Sequence, residues 1–496
     1  MDNEKTQNTY THILKYTSIF GGVQGLNILI ALVRNKFVAL FLGPYGMGLL
    51  SLFNSTIRFL GDSTNLGLGM SAVKNISTAY EQQNRAALER SIKVVRSWSL
   101  LTALMGMLLC IVLSPLLSKW TFGWGNHTLH FALLSPVVAL TALTGGELAI
   151  MKGTRELGNL ARQSVYSIIA ALIVSIPIYY IWRAAAIVPS LILMALAQML
   201  ITIHFSFRSH PPRFSLRRSV LRKGISMVKL GTAFLFAGIF GSGSEFLVRS
   251  YLNNAGSQEI LGLYNAGYMM AFTYAGMVFS AMETDYFPRL SAVQTIGSAL
   301  NDVVNKQIEV SLLLVSPLLS AFIIGLPIII PLLYSRAFLP VLGMAQLTVL
   351  AMYLRAIKLP IAYLPLSRGD SRFYLLMEGI YAIVFVALSV IFFCWMGLVG
   401  MGLALLSVAI FDFFLLAVCM RRRYGYRLSK GVTRITACQL PIGMGAYTTT
   451  FIHQPVIYWL VGITLCMLSL FASLRILRSK ARLWEKLKDK VLKMRK

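Results

Sequence analysis

An ionisable side chain within a long apolar run is costly to bury and usually faces a cavity, so such residues mark where chemistry is to be sought. Arg34, Arg58 and Asp62 lie in apolar runs early in the chain, with Glu147 nearer the end of its run. Glu245, Arg249, Arg355, Lys358 and Asp412 follow in the second part. Arg58 and Asp62 are four residues apart, as are Glu245 and Arg249, which places each pair on one face of a helix. Two readings stay open for these pairs: charges that only neutralise each other, or charges presented to a cargo.

The basic members, Arg34, Arg58, Arg249, Arg355 and Lys358, outnumber the acids Asp62, Glu245 and Asp412. If they face one central space, that space is electropositive. A planar guanidinium grips phosphate oxygens through paired hydrogen bonds, strengthened where water is scarce. The predicted cargo is an anion, and a diphosphate suits it. Asp62, Glu245 and Asp412 are the candidates for carrying a proton or coordinating a cation such as sodium. Asn27, Asn54, Asn265 and Tyr268 are candidates for contacting sugars. Interhelical hydrogen bonding explains any one of these four equally well.

Other chemistries lack their residues. The five cysteines (Cys110, Cys394, Cys419, Cys438 and Cys466) form no CxxC pair and read as small packing residues. The six histidines are scattered and sit at or near span ends, with no HExxH. No GxSxG and no GxxxxGK[ST] loop occurs. No metal, cofactor or ATP-driven step is expected, and a membrane enzyme is the weaker alternative.

The elements that would position these residues are membrane spans. Of 496 residues, 56% are hydrophobic and 13% charged, against roughly 25% charged in a soluble domain. The apolar residues fall in runs of about 20, enough to cross about 30 Å of hydrocarbon. The runs predict an all-α polytopic protein with about fourteen spans. They fall at 13–38, 45–72, 94–117, 131–150, 164–182, 187–206, 228–252, 262–286, 309–334, 343–365, 374–396, 399–420, 434–451 and 456–475. The polar leader Met1–Thr11 precedes a run too long for a signal-peptide core, so no cleaved signal is expected.

Charge tests that count. With both termini inside, the inside loops carry, for example, Lys74, Lys93, Arg162, Arg208, Arg217, Arg222 and Arg421–Arg423. The outside loops hold only Lys119, Arg183 and Arg336. This is the positive-inside pattern, and one miscounted span would destroy it. It also explains the net charge of +28 without nucleic acid. A basic tail follows (Lys480, Arg482, Lys486, Lys488, Lys490, Lys493), expected to lie on anionic lipids of the inner leaflet.

The halves resemble each other. Leu32-Val33-Arg34 matches Leu247-Val248-Arg249, Gly48-Leu49 matches Gly262-Leu263, and the pattern S-A-V-x-x-I-x-S/T-A occurs at Ser71–Ala79 and Ser291–Ala299. Two parallel six-span lobes are predicted: 1–206 (spans 1–6) and 228–420 (spans 7–12), joined by a basic linker at 207–227. Spans 13 and 14 (421–475) and the tail 476–496 follow.

The segment Leu32–Ala79, with its turn Leu42-Gly43-Pro44-Tyr45-Gly46-Met47-Gly48-Leu49, resembles the start of bacterial O-antigen flippases of the polysaccharide transporter family. Leu364–Asp370 also looks familial. The superfamily includes multidrug extruders and the lipid II flippase. The resemblance implies two lobes in a V around a central cavity, in a bacterial inner membrane. It implies translocation of an undecaprenyl-diphosphate-linked oligosaccharide, such as an O-antigen repeat unit of lipopolysaccharide, from the cytoplasmic to the periplasmic leaflet. An ion gradient would drive alternating access, and a polysaccharide polymerase and chain-length regulator would be partners. A multidrug/cation antiporter of the same superfamily is the nearest rival. It would normally carry acids in its cavity, where this chain has a basic excess.

Overall fold

The computed structural model describes residues 2–123, 126–275 and 297–480, together with 279, 286, 289–291 and 293. Side chains are described from Gly25 to Leu477 apart from a few positions. Trp124, the exit of the eighth span with most of the second S-A-V repeat, the side chain of Tyr274, and the tail beyond Lys480 lie outside the described residues.

Every regular element among the described residues is helical. In chain order they are α1 (Asp2–Thr64), α2 (Leu68–Glu81), α3 (Arg85–Thr121), α4 (Thr128–Gly153), α5 (Leu157–Trp182), α6 (Ile187–Ser209) and α7 (Arg218–Ala255). Next come α8 (Gln258–Tyr268), running into a π-helical stretch Met269–Ala275, then α9 (Ser298–Leu333) and α10 (Leu342–Ser367). The last are α11 (Ser371–Tyr424), α12 (Lys430–Thr449) and α13 (Pro455–Lys480).

Eight helical segments among the described residues are long and apolar enough to cross a membrane. Three of them, of 40, 53 and 54 residues, are long enough to cross twice. Each contains a break where the apolar pattern predicts a turn. In α1 the break is Gly43 (φ 62°), followed by Pro44. A left-handed residue costs glycine nothing, and proline suits the first turn of the next helix. Gly397 (φ 56°) divides α11 in the same way, and the four-residue turn Arg183–Ala186 joins α5 to α6. α7, the described start of the eighth span (α8) and the more polar α12 fall at further expected span positions.

One span boundary differs. The second span was expected to run unbroken through 45–72, but the helix stops at Thr64 and resumes at Leu68. Leu66 (φ 52°) and Gly67 (φ 67°) are both left-handed. The Asn65 side chain accepts the Gly67 amide at 2.7 Å, an Asx turn that hydropathy does not register.

By contacts the chain forms two units, 1–262 with 332–335, and 263–331 with 336–496. Within the first, α3 packs on α4, and α1 on α5 and α7. Its core includes Leu68, Ala72 and Ile76 of α2 against Ile92 and Val95 of α3 and Ile150 of α4. Grouped by packing, α7 belongs with this unit, whereas the internal repeat assigns the seventh span to the second lobe. The two divisions rest on different properties, contact and homology. Gly48 and Gly262, which the repeat pairs, lie against each other: a Cβ on Gly48 would meet the Gln258 carbonyl oxygen, and one on Gly262 that of Pro44. Backbone approach this close requires glycine on both sides.

In the second unit α10 is the most enclosed helix, buried from Met344 to Met352 and again at Ala356, Ile357 and Ile361. Buried Gln439 of α12 donates to the Ser469 carbonyl and to Ser473 of α13, linking the closing pair by hydrogen bonds. Pro317, Pro327 and Pro331 lie inside α9, and Pro360 and Pro365 inside α10.

Candidate functional site

In the first unit Arg58, Asp62, Glu245 and Arg249 form one cluster between α1 and α7 rather than two separate local pairs. Arg249 Nη1 lies 2.9 Å from Glu245 Oε2, and Arg58 Nη1 lies 3.5 Å from the same oxygen. Arg58 is nearer to Glu245 than to Asp62, its sequence neighbour, at 3.9 Å. Burial separates the two arginines. The Arg249 side chain is 8% exposed, that of Arg58 65%. Phe59 of α1 stacks on Phe246 of α7 (ring centroids 5.2 Å), fixing the register that brings Glu245 between them.

Arg58 and Asp62 also line a cavity of about 360 Å³ enclosed by α1, α2, α3 and α4. Asn54, Asn65, Ser99, Thr102 and Thr141 complete its polar wall. Gly61 and Gly145 face it with open space where a Cβ would stand. Gly146 lets α4 close on Ser99 of α3, so the cavity is bounded by tight helix contact. The result is a pocket with amides, hydroxyls, one exposed guanidinium and one carboxylate.

Arg34 is placed elsewhere. Its Nε donates to Ser175 Oγ of α5 at 3.2 Å and its Nη2 reaches Met194 Sδ of α6 at 3.3 Å. It has no carboxylate partner among the described residues. Asn27, two turns earlier, donates to Ser164 of α5 at 2.6 Å. Both side chains therefore help seat α1 against α5 and α6.

The second unit holds its own polar cavity, about 230 Å³, between α10 and α11. Lys358 pairs with Asp412, and its ammonium lies 4.8 Å from the Tyr381 ring centre. Arg355 has no ion pair among the described residues. Its guanidinium stands over Phe272, 5.1 Å from the ring centre. Glu378 of α11 lines the same cavity and bonds Tyr374. It was not among the residues singled out from the sequence. The signal was present, an acid inside the 374–396 run, but lay close enough to the run's start to pass for an interfacial residue. Two carboxylates and two cations in so small a space form a site whose net charge changes with one proton or one bound cation.

Of the sugar-contact candidates, Asn54 lines one of the cavities described. Asn265 Nδ2 lies 3.7 Å from Met269 Sδ on the next turn, and Tyr268 stacks on Phe272 at 4.4 Å. Glu147 forms a buried two-point pair with Arg96, 2.8 and 3.0 Å, and accepts from Ser206 at 2.5 Å. Arg96 also donates to the carbonyls of His210 and Pro211. This network ties α3, α4 and α6 to the segment after α6. Among the described residues no group of three or more His, Cys, Asp or Glu side chains is arranged to hold a metal ion.

The family profile described as polysaccharide biosynthesis protein matches residues 37–342. The chain belongs to that family. No curated protein matches it in sequence. Its fold is shared with solved membrane proteins. The lipid II flippase MurJ in an inward closed conformation aligns at TM-score 0.69 and 14% identity, over 93% of this chain and 99% of that one. A multidrug resistance MATE family transporter of the MOP superfamily, inward-facing, aligns at 0.65 and 13%, over 83% and 96%. A MOP superfamily transporter from Pyrococcus furiosus, described as having a binding pocket of reverse polarity, aligns at 0.58 and 13%, over 83% and 94%. The polysaccharide biosynthesis family member thus has the fold of MOP superfamily transporters, in agreement with the resemblance carried by Leu42–Leu49.

Proposed function

We propose that this membrane protein flips an undecaprenyl-diphosphate-linked oligosaccharide from the cytoplasmic to the periplasmic leaflet of a bacterial inner membrane, with both termini cytoplasmic. The observation that carries the reading is Arg58. Its guanidinium is 65% exposed at the edge of a polar cavity inside a span, and the nearest acid, Glu245, is held more closely by Arg249. A guanidinium so exposed inside a span, and only loosely paired with Glu245 and Asp62, is free to turn to an anionic occupant. A diphosphate suits that role. Asn54 is the sugar contact best placed for this role. The family match and the shared fold with a lipid II flippase support a lipid-linked cargo.

In this reading an ion gradient drives the cycle through alternating access. Lys358, Asp412 and Glu378 are the preferred coupling group, with Asp62 and Glu245 as the alternative in the first unit. The rival reading, a multidrug/cation antiporter, is favoured by Asp62 in the first cavity and by the shared fold with MATE transporters. Glycan export in a strain lacking its own flippase separates the two. Arg58→Ala should abolish export while the protein still accumulates, and Arg58→Lys should restore only part, since it keeps charge but loses paired geometry. Full export by Arg58→Ala, or resistance to lipophilic cations without glycan export, would overturn the proposal. Sidedness is tested separately: a cysteine at Trp124 should be labelled from outside intact cells and one at Arg217 should not.

A further inference from the structure

The largest cavity described shares no residue with either polar site; it is a groove between α5 and α6 with a volume of about 770 Å³. The two helices are antiparallel, joined by the turn Arg183–Ala186. At the end far from that turn the groove is basic: Arg162 on α5, with His204 and Arg208 on α6. Towards the turn it is apolar, walled by Ile169, Ala170 and Ile173 of α5 and by Leu200 and Ile201 of α6. The pattern follows from helical periodicity. Positions 162, 166, 169 and 173 share one face, as do 200, 204 and 208. Tyr166 stacks on Phe205 across the two helices, with centroids 5.9 Å apart, just inside the basic end.

Three observations together point to an occupant. First, neither Arg162 nor Arg208 has an ion pair among the described residues. Glu156, the acid at this end, is already engaged, by His210 at 2.9 Å, Asn159 at 2.7 Å and Ser209 at 2.8 Å. Second, the polar groups beside the groove are satisfied within the protein: Gln163 donates to Thr202 and Ser167. The groove therefore offers two open guanidiniums, with the His204 ring and the Tyr166 hydroxyl as its other polar groups. Third, from Arg162 to Ile173 the helix rises about 16 Å, close to half of a hydrocarbon core of about 30 Å. The groove thus has a cationic mouth at one membrane surface and an apolar floor one leaflet deep.

We propose that the α5/α6 groove binds one anionic glycerophospholipid of the surrounding bilayer, its phosphate between Arg162 and Arg208 and an acyl chain along Ile169, Ile173 and Leu200. A soluble phosphate matches the mouth but leaves the apolar floor uncovered. A zwitterionic lipid covers the floor but brings a cationic headgroup to two arginines. Only a lipid with net negative charge matches both ends. The site is independent of the cargo proposed above, since it uses none of those residues.

The test is native mass spectrometry of the purified full chain released from detergent, with phosphatidylglycerol, phosphatidylethanolamine or undecaprenyl diphosphate added, each with and without millimolar inorganic phosphate. The wild type should retain phosphatidylglycerol preferentially. Arg162→Ala with Arg208→Ala should lower that retention at least about tenfold, through loss of charge-assisted hydrogen bonds to the phosphate, and should leave phosphatidylethanolamine unchanged. Both arginines are exposed, so the fold should survive. Ala170→Phe, which fills the floor without touching the charges, should reduce retention of both lipids. Equal retention of the two lipids by the wild type would overturn the proposal. So would unchanged phosphatidylglycerol retention in the double variant, or its displacement by millimolar inorganic phosphate. Preferential capture of a polyprenyl diphosphate would assign the groove to the cargo instead and would also overturn it.

Discussion

Removal of Arg249 should damage the fold, and removal of Arg58 should damage only transport. Both guanidiniums lie within reach of one oxygen of Glu245, but their surroundings differ. Arg249 is 2.9 Å away and 8% exposed. At an effective dielectric constant of about 20 its attraction to Glu245 is about 6 kcal/mol before desolvation is subtracted. Arg58 is 3.5 Å away and 65% exposed, which places its pairing in the solvent-screened regime of about 0–1 kcal/mol. Arg249→Ala therefore removes the nearest cation from a carboxylate that is only 20% exposed. The expected cost is about 3 kcal/mol, the low end for breaking a buried pair, because Arg58 and partial exposure remain. Arg249→Ala with Glu245→Ala should regain most of that loss, giving a coupling of about 2 kcal/mol. Thermal stability of the detergent-purified variants, read beside glycan export in cells, measures both effects. The reasoning is refuted if Arg249→Ala keeps its midpoint within about a degree of wild type, or if the double variant is no more stable than the single one.

Other expectations follow from single features. Burial alone would raise the Glu156 carboxyl, but His210 paired with it at 2.9 Å and hydrogen bonds from Asn159 and Ser209 outweigh it and bring its pKa to about 2, from an ordinary 4.5. The stability this contributes is present above about pH 4.5 and is lost as pH falls from there towards 2. Hydrogen exchange across 206–215 should accelerate over that window, and Glu156→Gln should abolish the dependence. Gly48→Leu should force the backbone away from the Gln258 carbonyl and cost about 1–3 kcal/mol or more, seen as lower accumulation and a lower melting midpoint. Glu378→Gln and Asp412→Asn should each reduce gradient-dependent transport in vesicles. Unchanged transport in both would remove that cavity from the coupling scheme.

The sequence by itself determined what depends on distance along the chain. Apolar run length against membrane thickness defined the spans, and charge asymmetry checked their number, since each miscounted span would invert the loops that follow. Gly43-Pro44 announced the break in α1 because left-handed backbone and a helix-starting proline are properties of single residues. Partnerships across the chain were decided only by tertiary structure. The four-residue spacing paired Arg58 with Asp62, yet packing of Phe59 on Phe246 brings α7 alongside and makes Glu245 the nearer acid. Local spacing ranks neighbours on one helix and carries nothing about which helix lies opposite. For the same reason Arg34, which has no acid nearby in sequence, is placed against Ser175 and Met194 rather than beside Arg58. Glu378 joins Lys358 and Asp412 only because α10 and α11 enclose one cavity. Exposure separates Arg58 from Arg249, which composition and spacing treat alike, because the solvent that reaches a side chain is set by all the surfaces around it and not by its own helix.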